Sequence, residues 1–233
     1  VVTPIRLAHY LGQGAVESDF LHLMQEKAMI PKKIENGNAY GESIDKDSIR
    51  PEYELGHWYG SAPGEKNVWF CYTMYSSKGN RIASSYSWRN GNCGDIDAIK
   101  FRGRGFKQLT GLTNYSGYWV YRGWLDIKSF DKNWESDKQY KEKNRIGMSK
   151  TPPEIQDPHR ITINPYNCID IGGWYMTFQR PSVLKSIDND LTAAIGSTAE
   201  AANIKKVTLA INGGEMDLDN RTTYTKHAKK VML

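Results

Sequence analysis

Thr3-Pro4-Ile5-Arg6-Leu7-Ala8-His9-Tyr10-Leu11-Gly12-Gln13-Gly14-Ala15-Val16-Glu17-Ser18 opens the chain with a helix and ends that helix on an acid. The Thr3 hydroxyl caps the free N–H groups, and Pro4 occupies the first turn, where its missing N–H costs nothing. Ala8, Leu11 and Ala15 recur at helical spacing and predict a buried stripe. Arg6, Tyr10, Gln13 and Glu17 follow the same period on another face, so Glu17 is expected to close a polar row.

Further helices are predicted downstream. Thr113 to Trp124 forms one, and Asn167 to Gln179 carries Cys168, Ile171, Trp174, Tyr175 and Phe178 at core spacing. Pro181 starts another with Val183, Leu184, Ile187 and Leu191. The next runs from about Thr198 to Ala210 and stops at Asn212-Gly213-Gly214, and Asp219 is expected to cap the last, which ends near Val231. Between the first and second helices Pro31-Lys32-Lys33 and Asn36-Gly37-Asn38 read as loop, while Val68–Tyr75 and Ile82–Trp88 read as a β-hairpin. From Ile127 to Pro158 the composition turns to Lys, Asp, Glu, Asn and Pro and predicts a charged surface excursion. The expected fold is mainly α, of the α+β kind, in one domain of 233 residues with one small hairpin. The start at Val1 without Met leaves room for a longer parent chain, and Val1-Val2-Thr3-Pro4 has no signal-peptide pattern.

Composition narrows the function classes. No stretch has the apolar length of a membrane span. Three cysteines, Cys71, Cys93 and Cys168, are odd in number, which excludes a complete disulfide framework; free buried thiols are expected, with one bridge left open. His9, His22, His57, His159 and His227 have no metal-ligand spacing, so neither metal nor cofactor is expected. A net charge of +5 favours an anionic partner: nucleic acid, a membrane surface or an acidic cell-wall polymer. Seven Trp and fourteen Tyr against six Phe favour rings with a polar handle, which suit sugar-stacking surfaces.

The second informative stretch is Arg102-Gly103-Arg104-Gly105-Phe106-Lys107-Gln108-Leu109-Thr110-Gly111, followed by Asn114-Tyr115. It lacks the Gly-Lys-Ser/Thr ending of a phosphate loop and the third glycine of a dinucleotide fingerprint. Its glycines allow close backbone approach to a ligand, and Gln108, Thr110 and Asn114 offer amides and a hydroxyl suited to sugar groups or a water. Glycoside hydrolysis needs an acid and, as a rule, a second carboxylate. Glu17 is the first candidate, with its pKa expected to be raised by burial. Asp19, Glu26, Glu35 and Glu42 are candidates for the second. In one continuous helix Glu17 and Glu26 would point about 180° apart and lie about 13 Å apart along the axis, so the helix must break between them if both serve one bond.

Three ordered segments resemble glycoside hydrolase family 19, which contains chitinases and, in shorter form, phage endolysins and bacterial cell-wall lysozymes. They are Ile5 to Gln13 leading into Glu17-Ser18, Gly103-Arg104-Gly105 with Gln108-Leu109-Thr110 and Asn114-Tyr115, and Ile211-Asn212-Gly213-Gly214 with Asp219-Asn220-Arg221. The resemblance implies a lysozyme-like, two-lobed helical domain and inverting cleavage of a β-1,4 bond beside an N-acetylated sugar. It implies Glu17 as acid, Glu26 as base by its nine-residue spacing, and Thr110 as holder of the water. It also implies sugar contacts at Gln13, Arg104, Gln108, Asn114, Tyr115, Asn212 and Arg221. The expected activity is that of a muramidase, with chitinase, lytic transglycosylase and a non-catalytic wall-binding module as alternatives. The expected partners are a peptidoglycan strand and, for an effector delivered by a contractile secretion machine, an immunity protein; neither nucleic acid nor stable membrane insertion is expected. A holin is the delivery route expected for a phage lysin. The chain departs from the family pattern at Asp19-Phe20, where glycine is usual, and at Val16, where histidine is usual.

Overall fold

The first helix, α1 (Pro4–Glu17), begins as its sequence requires: Thr3 Oγ1 accepts from Arg6 N at 3.4 Å, and Pro4 stands in the first turn. The computed structural model describes residues 3–20, 24–25, 28–35, 38–44, 73–75, 81–84, 90–92, 97, 100–142, 147–190 and 193–233. After α1 come strands β1 (Ala28–Glu35), β2 (Asn38–Ile44), β3 (Thr73–Tyr75) and β4 (Arg81–Ser84). Then follow α2 (Leu112–Tyr121), α3 (Gln139–Glu142), α4 (Arg160–Ile163), α5 (Pro165–Trp174), α6 (Pro181–Asp188), α7 (Thr198–Asn212) and α8 (Leu218–Met232). The described chain is mainly helical. Among the described residues no helix is long and apolar enough to cross a membrane.

The contacts divide the chain into two compact units, each assembled from separate segments. The first holds Val1–Met24, Gly105–Gln108 and Asn164–Leu233. Within it α1 touches α5, α6, α7 and α8. Its core gathers Ile5, Tyr10, Phe106, Met176, Val183, Ile187, Val207 and Ile211. Two glycines let α1 be enclosed. A Cβ at Gly12 would lie 2.3 Å from Thr225 Oγ1 in α8, and one at Gly14 would lie 2.0 Å from the Phe106 ring. A glycine inside a helix costs about 1 kcal/mol relative to alanine, and here it purchases close contact on two faces.

That enclosure corrects the predicted stripe. Leu11 is 37 % exposed, whereas Tyr10 and Gln13 are buried, so Glu17 ends a row that is largely interior. A single apolar stripe describes a helix lying on a surface, and α1 is packed on several sides. The helix does break after Glu17. Ser18 caps it through N and Oγ bonds to Gly14 O, and Phe20 N reaches Ala15 O at 2.9 Å. Asp19 and Phe20 both take positive φ, +45° and +55°, in a turn that glycine would adopt more easily.

α5 continues into a π-helical turn, Tyr175–Gln179, that opens with Tyr175. Phe178, expected in the core, is 65 % exposed, because the wider turn shifts it off the buried face. Leu191 lies outside the described residues. α7 stops at Gly213, whose φ is +70°. Asp217 occupies the cap position of α8, and Asp219 lies in the first turn instead of capping it. This unit also encloses a charged cluster: His9 Nε2 lies 2.8 Å from Asp190 Oδ2, and Lys229 Nζ lies 2.8 Å from that oxygen and 2.6 Å from Glu200 Oε1.

The second unit holds Gln25–Arg104 and Leu109–Ile163. β1 and β2 pair antiparallel from Ala28↔Ile44 to Glu35↔Asn38, with a register shift between Pro31 and Lys33. Pro31 to Lys33 therefore belong to a strand and not to the predicted loop, with proline tolerated at the irregularity. β3 and β4 also pair antiparallel. They overlap the stretches expected to form a hairpin, with β4 starting one residue earlier at Arg81, and the remaining residues of those stretches lie outside those described. Rings from Phe101, Tyr115, Tyr118, Trp119 and Trp124 pack edge-on and stacked around α2. The charge-rich stretch after Ile127 has apolar anchors of its own, with Trp134, Tyr140 and Ile155 buried. Asp137 fastens it further: Oδ2 accepts from Ser149 N, Ser149 Oγ and Lys150 N, and Oδ1 accepts from Gln139 N. Those donors hold the Asp137 carboxyl at about 2.

Candidate active site

Within the first unit, four of the expected site residues meet one unexpected residue. Gln13 and Glu17 come from α1, Asn212 from the last turn of α7 and Arg221 from the first turns of α8. Lys107 comes from the segment Gly105–Gln108, where Gly105 takes φ +74°. Phe106 N donates to Cys168 O at 2.8 Å, and the Phe106 ring packs on Tyr10 with centroids 4.9 Å apart. This anchored aromatic fixes the direction of its neighbour Lys107.

Glu17 Oε1 receives Lys107 Nζ at 3.0 Å and Arg221 Nη2 at 2.8 Å. With the Asn212 amide turned so that its oxygen faces the guanidinium, its nitrogen donates to Glu17 Oε1 at 2.8 Å and its oxygen accepts from Arg221 Nη2 at 2.8 Å. Arg221 is itself held: Nε donates to Met216 O at 2.9 Å and Nη1 to Gln13 Oε1 at 3.1 Å. Gln13 Nε2 in turn donates to Thr208 Oγ1 at 3.0 Å. The Lys107 ammonium also lies 5.9 Å from the centroid of the Tyr175 ring.

The electrostatics overturn one expectation. Burial pushes the Glu17 carboxyl up, but the adjacent Lys107 ammonium and Arg221 guanidinium outweigh it, and the carboxyl is held below the ordinary glutamate range. The expected raised pKa is not what this arrangement produces. Lys107 is lowered, chiefly by burial; Glu17 opposes that and Arg221 adds to it. The side chains of Glu17 and Lys107 are 18 % and 8 % exposed, so the acid retains an opening that the lysine lacks.

Gln13 is enclosed, which corrects its expected role as a sugar contact: it orients Arg221. In the second unit Arg104 and Tyr115 are corrected in the same way. Arg104 is fully buried and donates to Gln25 Oε1, to Lys100 O at 2.8 Å and to Tyr115 Oη at 2.8 Å, while Tyr115 donates to Arg102 O at 2.6 Å. These two side chains brace the glycine-arginine segment. Gln108, in the first unit, has φ +51° and donates to Gly105 O at 3.1 Å. Thr110 and Asn114 belong to the second unit, where Asn114 Nδ2 donates to Thr110 O at 2.7 Å. Both remain partly exposed. Glu26 lies outside the described residues, as do Cys71 and Cys93; Cys168 is buried.

Sequence reasoning missed Lys107. It stands inside the quoted segment, but neither period nor motif distinguishes a lysine that meets an acid 90 residues away. Its one signal is a cation placed between Phe106 and Gln108 in a segment otherwise made of hinges and amides.

Among the described residues no group of His, Cys, Asp and Glu is arranged to hold a metal. No family model, no curated protein and no solved structure matches the chain.

Proposed function

We propose that the chain is a peptidoglycan hydrolase that cleaves the β-1,4 bond between N-acetylmuramic acid and N-acetylglucosamine, with Glu17 as the acid. One observation carries the reading: a partly exposed carboxylate at a helix end, gripped through one oxygen by Lys107, Arg221 and Asn212, with its other oxygen accepting from no described group. The order of the Glu17-Ser18, Gly103-to-Tyr115 and Asn212-to-Arg221 segments, which resembles glycoside hydrolase family 19, supports it. A lysozyme-like two-lobed arrangement belongs to the same proposal.

In the free site Glu17 is ionised. A sugar chain lying over it would remove the remaining water, and the desolvation that already pushes this carboxyl toward the protonated form would make it take a proton from solvent as the chain settles. The proton then passes to the glycosidic oxygen. In the inverting scheme Glu26 would activate the attacking water, with Thr110 and Asn114 holding that water or the N-acetyl group. The net charge of +5 would draw the protein to an anionic wall, and salt would weaken that attraction. Delivery by a holin or a contractile secretion machine, and an immunity protein in the second case, belong to this reading.

Among the described residues the Glu17 cluster contains one carboxylate, which keeps a lytic transglycosylase as a second reading, since that chemistry needs one acid and yields a 1,6-anhydro sugar. Digestion of purified peptidoglycan, followed by borohydride reduction and mass spectrometry, separates the two by one water. Glu17→Gln should lower muropeptide release at least a hundredfold, consistent with losing a general acid worth about 10²–10⁴. Release undiminished in that variant would refute the assignment.

A further inference from the structure

We infer that Lys107 is a positioning residue of this site: with Arg221 and Asn212 it grips Glu17 through Oε1 alone, leaving Oε2 as the atom at which Glu17 gains and gives up its proton. The chemical role of that proton rests on the proposed function; the grip itself is geometric.

Three donors converge on Oε1, at 2.8, 2.8 and 3.0 Å. A proton on that oxygen would face an ammonium, a guanidinium and an amide N–H, and each would have to turn away. Oε2 accepts from no described group, so protonation there leaves all three contacts in place. A carboxyl gripped in this way has one reactive edge, and its direction is fixed.

The two cations are not equivalent. Arg221 is tied to Met216 O and to Gln13 Oε1 as well as to Glu17, and a guanidinium keeps its charge throughout the working range. Among the described residues Lys107 has Glu17 as its one carboxylate partner, with the Asn212 side-chain amide 3.4 Å from its Nζ and the Tyr175 ring 5.9 Å away. It is also the one of the two that can lose a proton. The titratable and charged groups facing Glu17 are Lys107 from the Gly105–Gln108 segment, Arg221 from α8 and Tyr175 from the π-helical turn, with Arg180 beside the tyrosine. Lys107 therefore controls how readily Oε2 takes up a proton without touching the substrate.

The test follows the Glu17 carboxyl carbon by ¹³C NMR through a pH titration of the full chain, in the wild type and in Lys107→Met and Lys107→Arg. The methionine variant should raise the Glu17 midpoint by about one pH unit, the effect of one adjacent opposite charge, and the arginine variant should leave it near wild type. The acid limb of muropeptide release should move by the same interval in Lys107→Met. A second measurement serves where the methionine variant does not fold: the wild-type Glu17 carbon should show an alkaline inflection as Lys107 deprotonates, and Lys107→Arg should lack it. Coincident Glu17 midpoints in the wild type and Lys107→Met, or an alkaline inflection that persists in Lys107→Arg, would overturn the inference. A shifted midpoint in a protein that leaves peptidoglycan intact would uphold the grip and remove the proposed function; turnover with unshifted midpoints would do the reverse.

Discussion

Two clusters in the first unit use the same ingredients, a carboxylate against a lysine, and end differently. Around Glu17 the lysine and arginine both fasten on one oxygen, and the acid keeps an opening of 18 %. Around Asp190 the opening is gone: His9, Asp190, Glu200 and Lys229 have side chains 0–1 % exposed. Asp190 Oδ1 is taken by Asn203 Nδ2 at 3.3 Å and Glu200 Oε2 by Gly196 N at 2.7 Å. Every carboxylate oxygen in the sealed cluster has a neighbour of opposite polarity. A buried ion pair without an accessible edge can brace helices, whereas the one that leaves an oxygen uncommitted can meet a substrate.

The largest effect expected from breaking this contrast is on stability. Asp190→Ala removes one of the two carboxylates paired with Lys229 and the partner of His9 in a dry interior, and should cost about 3–5 kcal/mol, read from urea unfolding followed by circular dichroism. A loss below about 1 kcal/mol would mean that water enters the cluster and that the contrast is false.

The next effect is a difference in sign. Lys229 is raised in the folded state: burial lowers it, but Asp190 and Glu200 outweigh that. Its stabilisation is full below the ordinary lysine pKa and is lost as pH rises through the folded value. Lys107 is lowered, so between its folded value and the ordinary one the unfolded chain binds more protons, and stability rises with pH across that interval. Thermal melts from pH 8 to 11 should therefore show Lys107→Met removing an upward contribution and Lys229→Met a downward one. Parallel profiles for the two variants would contradict this. At the acid end both carboxylates are depressed: against the upward push of burial, Lys107 and Arg221 lower Glu17, and the hydrogen bonds with His9 and Lys229 lower Asp190. Glu17 and Asp190 thus contribute stability that is present above the ordinary carboxylate pKa and lost as pH falls through their lower folded values.

The smallest effect belongs to the second unit, where Asp137 is gripped at a solvated surface. Asp137→Asn should speed hydrogen exchange at the Ser149 and Lys150 amides while shifting the melting temperature no more than an ordinary surface substitution. Unchanged exchange at those amides would show that the buried Trp134 and Tyr140, not Asp137, hold the stretch.

How much of this could be read beforehand follows from the range of each interaction. Thr3-Pro4 and the Asn212-Gly213-Gly214 stop are local, within one helical turn, and both ends lie where the residues place them. Glu17 was legible as a helix-end acid, whereas Arg221 and Asn212 were expected as sugar contacts, and their hold on Glu17 is a long-range contact that no local pattern marks. The burial of Tyr10 and Gln13 was not, because it depends on partners that enclose α1 from far along the chain. The β1–β2 pairing was hidden by Pro31-Lys32-Lys33, though Asn36-Gly37 between the two strands is a strong hairpin signal that was read simply as loop. His9 has no metal-ligand spacing in the sequence, and its partners, Asp190 and beyond it Lys229, lie 181 and more residues away.

Glu17 and Arg221 are 204 residues apart, so the grip on the acid joins elements far separated in sequence. A ribosome releases α1 long before α8 exists. Until α8 docks against Gly12, the nascent polypeptide carries its acid without the guanidinium that orients it. Whatever this carboxylate does, the capacity waits on α8, and a protease that removes that helix would withdraw it in one cut.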